Sequence, residues 1–128
     1  MSKMFIAQIV LPKVGNNGDS INHAHGFLKT ELCRKFGGFT ALESSGGWID
    51  PETGNAYLEP GITYQTGMAD TPENVAALLK IAIQVGVAAK QLAMAVTLPS
   101  GEFQILQTGV DSLDSIDPET VKQGVANA

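Results

Sequence analysis

Two hydrophobic periodicities alternate along the chain and divide it into elements. Residues 4–11 (MFIAQIVL) form a nearly unbroken apolar run halted by Pro12, the pattern of a central strand covered on at least one face. Residues 12–18 (PKVGNNG) hold several turn formers and predict a mobile connection. The period then changes. Ile21, Ala24, Phe27, Leu28, Leu32 and Phe36 recur at spacings of three and four, one face of a helix, with Asp19 or Ser20 as its cap and Gly37-Gly38 as its stop. Two strand-like runs follow, 39–45 and 56–66, flanking a polar connection in which Asp50-Pro51-Glu52-Thr53-Gly54-Asn55 concentrates turn formers; this predicts a hairpin with a long arm. Asp70 or Thr71 as cap, Pro72 in the first turn and Glu73 at the positive end of the dipole start a second helix. Its stripe of Val75, Leu78, Leu79, Ala82 and Val85 or Gly86 runs toward Ala89. Residues 91–98 predict a strand, 99–102 a turn and 103–107 a short partner strand.

Strand, helix, strand, strand, helix, strand is the ferredoxin-like βαββαβ order: an α+β sandwich with an antiparallel sheet and two helices on one face, here with an extra short C-terminal strand. Residues 1–108 are read as this single domain and 109–128, with Asp111, Asp114 and Asp117, as a polar C-terminal tail. The other sheet face is left uncovered. With 44% hydrophobic and 16% charged residues, the chain has more apolar surface than a small monomer hides, which predicts assembly through the sheet with sites at the subunit junctions.

A net charge of -5 and the lack of a basic run argue against nucleic-acid binding, which depends on releasing counterions from phosphates. No apolar run approaches the roughly 20 residues of a membrane span, and Met1-Ser2-Lys3-Met4 does not read as a signal peptide, so a cytoplasmic protein is expected. The single cysteine, Cys33, cannot form an intrachain disulfide or a CxxC site and is read as structural.

Candidate chemistry concentrates on the hairpin. Glu59 interrupts the apolar run 56–62, so it is either turned to water or deliberately partnered. Trp48, the only tryptophan, follows Gly46-Gly47; its indole either stacks on a flat ligand or caps the core at the hairpin neck. Tyr57, Glu59 and Tyr64 are read as sharing one strand face, with Tyr57 and Glu59 as neighbours. His23 and His25, two apart on a helix, point in different directions. They are read as surface residues rather than a metal pair, and neither metal nor cofactor is expected. Gly15-Asn16-Asn17-Gly18 lacks the Lys and Ser/Thr of a phosphate loop and is read as a lid. Ser44 and Ser45 have no His and Asp set nearby, so nothing favours a nucleophilic serine.

A first strand, a helix ending in Gly37-Gly38, the strand 39–45, Trp48 after Gly46-Gly47, and Glu59 entering the next strand together resemble the bacteriophage S-adenosylmethionine (SAM) lyases, formerly called SAM hydrolases. The resemblance covers roughly residues 4–106 and is one of layout with two spaced positions. It implies a ferredoxin-like, PII-like homotrimer with SAM bound between subunits and Glu59 as the functional acid. It also implies cleavage of SAM to 5'-methylthioadenosine and L-homoserine lactone, used by a phage in the host cytoplasm to starve restriction. The family's aromatic is typically Tyr; Trp48 keeps a stacking surface and loses a hydroxyl. Trp48, Tyr57, Gly46 and Gly47 would line the substrate pocket. The alternative is a non-catalytic PII-like protein that binds a small nucleotide at the same junction. A third reading is an interaction protein that uses the sheet face for assembly alone.

Overall fold

A computed structural model describes residues 3–110. The elements run β1 (Phe5–Pro12), α1 (Asn22–Phe36), β2 (Thr40–Ile49), β3 (Ala56–Met68), α2 (Pro72–Ala88), β4 (Ala93–Thr97) and β5 (Phe103–Gln107). The five strands form one sheet in the order β2-β3-β1-β4-β5, every neighbouring pair antiparallel. This is the ferredoxin-like α+β fold expected from the periodicity, with the extra strand at the β4 edge. The predicted tail from 111 onward lies outside the described residues.

Period two sorts each strand between a helix-covered face and an open one. On β1, Ala7, Ile9 and Leu11 are buried beneath the helices while Ile6 and Val10 are exposed. Leu28 and Leu32 of α1, Leu78, Ile81, Ala82 and Val85 of α2, and Tyr64, Met68, Met94 and Val96 from the sheet complete one core. Phe27, expected on the buried stripe, is exposed, as is Cys33.

Helix ends follow local chemistry where the sequence supplies it. Thr71 caps α2 by accepting from the Asn74 amide at 3.2 Å, with Pro72 behind it, and Gly37 ends α1 at a left-handed φ of 92° that glycine tolerates best. The α1 start differs from expectation. Ile21, not Asp19 or Ser20, occupies the cap position and no side chain caps the helix; Ser20 Oγ only meets the Asn22 amide at 3.3 Å. Ile21 is held there by burial in the core instead.

The connection expected to be a mobile lid is a hydrogen-bonded turn. Val14 bridges Ser20, the Gly15 amide donates to Asp19 O at 2.7 Å, and Asn16 Nδ2 reaches Lys90 O at 3.1 Å.

Candidate active site

The hairpin arm is longer and more regular than the sequence suggests. β2 continues through Gly46, Gly47 and Trp48 to Ile49, where a connection was expected, because each residue finds a partner on β3 up to Ile49↔Ala56. The turn closes through Asp50 N–H to Asn55 O at 2.9 Å and Gly54 N–H to Asp50 O at 2.8 Å. β1 pairs only with residues 61–68 of β3, so residues 56–60 have β2 as their sole strand neighbour and the arm projects beyond the sheet.

Register decides which site candidates meet. Trp48 pairs with Tyr57 and Gly46 with Glu59, so these four occupy adjacent rungs of the open face. The Trp48 and Tyr57 rings stack with centroids 4.9 Å apart at 21°, both side chains remaining exposed. Gly47 pairs with Leu58 on the other face, where a Cβ at Gly47 would stand 3.0 Å from Leu58 Cδ2; only its backbone belongs with the group.

Tyr64 corrects the expectation that it shares a face with Tyr57 and Glu59. β3 is unbroken, so residues 57 and 64 fall on opposite sides, and Tyr64 is 1% exposed in the core. Burial pushes its hydroxyl pKa above the ordinary tyrosine value. Its partner is His25, read from sequence as a surface residue but in fact buried: Tyr64 Oη lies 2.6 Å from His25 Nδ1, and His25 Nε2 lies 2.8 Å from Pro12 O. Helical periodicity does carry a signal for its burial, since His25 stands four residues after Ile21 and three before Leu28, in line with the buried stripe.

Glu59 is exposed and, among the described residues, engages in no hydrogen bond or ion pair. It lines a cleft of about 160 Å³ with Pro12, Val14, Gly15, Asn16 and Pro60. Lys13, which follows β1 beside this cleft, turns to the helix side and pairs with Glu43, holding that carboxyl below its ordinary pKa through the hydrogen bond first and its charge second. Glu59 thus stands as an uncompensated negative charge beside two stacked aromatic rings. Such an arrangement suits a ligand that joins a flat ring to a positive charge. No cluster of His, Cys, Asp and Glu able to hold a metal occurs among the described residues.

No protein-family model matches the sequence, and no curated protein matches it. Solved structures do match in fold. A phage SAM lyase in complex with S-methyl-5'-thioadenosine aligns over 88% of this chain and 95% of its own, with a TM-score of 0.67 and 10% identity. A phage SAM lyase in the apo state aligns over 79% of each chain at a TM-score of 0.53 and 14% identity. A GlnK–ATP complex from B. subtilis aligns over 94% of this chain and 98% of its own at a TM-score of 0.43 and 13% identity. No helix among the described residues is long and apolar enough to cross a membrane.

Proposed function

We propose that the protein is a SAM lyase, cleaving SAM to 5'-methylthioadenosine and L-homoserine lactone. The observation that supports this best is the set of Glu59, Gly46 and the stacked Trp48–Tyr57 pair on adjacent rungs of one face. It occurs in a fold whose likeness to a SAM lyase with S-methyl-5'-thioadenosine covers 88% of the chain. Trp48 and Tyr57 offer a surface for adenine, and the missing side chain at Gly46 lets the ligand approach the strand beside Glu59, with the Gly47 backbone next to it.

The reaction makes few demands on enzyme groups. A carboxylate oxygen of SAM forms a bond to its own side-chain carbon, the carbon–sulfur bond breaks, and its electron pair goes to sulfur to give a neutral thioether. No proton moves. Positive sulfonium and negative carboxylate are both consumed, so a water-poor pocket that folds the substrate into a near-attack shape favours the step. Pressing Glu59 against the sulfonium would stabilise the ground state more than the transition state. Its useful role is to hold the substrate's ammonium, directly or through an ordered water.

The open face supplies the means of excluding water. Ile6, Leu42, Phe103 and Ile105 are exposed on it together with Trp48 and Tyr57, and copies of the chain meeting there, as a homotrimer, would close the sites between subunits. In an infected bacterium the consequence is depletion of cytoplasmic SAM, starving restriction and methylation.

Incubation with SAM followed by chromatography and mass analysis tests the reading, with Glu59→Gln beside the wild type. Methylthioadenosine with homoserine lactone is expected, falling about 100-fold or more in Glu59→Gln while the oligomer measured by light scattering is kept. Homoserine from the outset would indicate hydrolysis. Unchanged SAM accompanied by a raised melting temperature would instead identify a PII-like binder.

A further inference from the structure

One wall of the Glu59 cleft is the segment from Pro12 to Asn16, and a helix side chain as well as β3 holds its start. Pro12 stands opposite Gly61 at the last rung between β1 and β3, and the next amide, Lys13 N–H, donates to Pro60 O at 3.2 Å. Polar groups of successive residues in a ladder point to opposite neighbours, so the Pro12 carbonyl points away from β3, toward the β4 side. There the ladder between β1 and β4 has already ended, its last rung being Val10↔Ala95. The carbonyl would be an orphan acceptor at the strand end, and proline has no amide to lose there.

His25 supplies the missing donor. A carbonyl only accepts, so the 2.8 Å contact places a proton on Nε2, and in the neutral ring Nδ1 is left to accept from the Tyr64 hydroxyl at 2.6 Å. His25 is 8% exposed and Tyr64 1%, so water competes little for either bond. Tyr64 is in turn clamped edge-on by Phe39, with ring centroids 5.8 Å apart.

We propose that His25 is a positioning residue for the Glu59 cleft: by tying the Pro12 carbonyl to the buried Tyr64 hydroxyl, it sets where the segment from Pro12 to Asn16 stands relative to Glu59. The catalytic consequence rests on the cleft being the substrate site; the structural consequence does not. Core and cleft are linked through one imidazole that does not itself line the cleft.

The test is residue-resolved amide exchange on His25→Ala, His25→Gln and Tyr64→Phe, with melting temperatures and with KM and kcat for SAM. In His25→Ala the Lys13 amide should exchange about tenfold faster than any general loosening of the α2 and β4 amides explains, the measure of one lost hydrogen bond. KM should rise several-fold, a wall out of place weakening substrate capture. His25→Gln, whose amide nitrogen reaches the same carbonyl, should restore both readouts, and Tyr64→Phe, which removes only the hydroxyl, should fall between. Exchange that changes uniformly across the sheet in all three variants, or no recovery in His25→Gln, would reduce His25 to a core residue and overturn the proposal. A wild type that leaves SAM untouched would sink the lyase reading, and the exchange pattern would still decide the role of His25.

Discussion

Strand β3 carries two tyrosines with opposite surroundings. Tyr64 lies where β1 and β2 flank the strand and the helices cover it; it is 1% exposed and hydrogen-bonded to His25. Tyr57 lies on the arm, where β2 is the only strand neighbour; it is 40% exposed and stacks on Trp48. The side chain is the same, so the number of layers around it makes the difference. The inner part of β3 is committed to the fold, whereas the arm leaves aromatic surface free for a ligand or a second copy. Tyr64→Ala should therefore cost about 3–5 kcal/mol, a large share of a small domain's stability. Tyr57→Ala should shift chemical denaturation by about 0.5 kcal/mol or less at low protein concentration, yet weaken SAM binding. Equal losses in the two variants would erase the distinction.

Two glycines sharpen it. A Cβ on Gly86 of α2 would stand 2.5 Å from Thr108 Cγ2 and 2.7 Å from Met94 Cγ, both on buried residues. Overpacking of about 1–3 kcal/mol should outweigh the roughly 1 kcal/mol that alanine gains over glycine in a helix, so Gly86→Ala lowers the melting temperature. At Gly46 a Cβ meets nothing within 4 Å. Gly46→Ala should fold as well as wild type, and any loss of SAM turnover would then report the methyl group beside Glu59 rather than a damaged sheet.

Much of the inner region was legible in the sequence because its signals are local. The Thr71 cap with Pro72, the glycine after Phe36 and the apolar stripe of α2 each need only a few neighbouring residues to be read. The arm is a different case. Gly46-Gly47-Trp48 looks like a connection until the register of β2 on β3 is known, and that register depends on closure at Asp50 and Asn55. That Glu59 and Tyr57 share a face followed from period two. The same rule, applied through the uninterrupted strand, places Tyr64 on the far side, so the shared face expected for all three could not hold. The spacing on α1 puts His25 in line with Ile21 and Leu28, but its partners are tertiary: one is a carbonyl beyond the end of the β1–β4 ladder, and no spacing on α1 encodes that.

pH separates the two regions more gently. Burial raises the Tyr64 pKa above 10, so the folded state holds this proton more tightly than the unfolded chain. The associated stability is complete below pH 10 and is lost as pH rises through the higher folded value. Melting temperatures of the wild type and Tyr64→Phe should converge or cross as pH climbs past 10, and a constant difference would mean that Tyr64 titrates as if exposed.

The smallest effect belongs to the ion pair at the root of the arm. Lys13 and Glu43 link the end of β1 to β2 on the helix side, and Lys13 lowers the Glu43 pKa by its hydrogen bond and then by its charge. With a lowered folded value, the contribution of Glu43 is present above the ordinary glutamate value of 4.5 and is lost as pH falls through the lower folded one. Glu43 is fully exposed, so water and salt screen the pair and melting should scarcely register it. The sensitive readout is the Glu43 carboxyl itself, followed by NMR between pH 2 and 7. Lys13→Ala should return its midpoint upward toward 4.5, and high salt should do so in part. A midpoint that ignores both changes would show that the pair does not persist in solution. Between β1 and the root of the arm the Lys13 amide on Pro60 and the His25 bond to Pro12 would then remain, and those are the ties to test next against turnover.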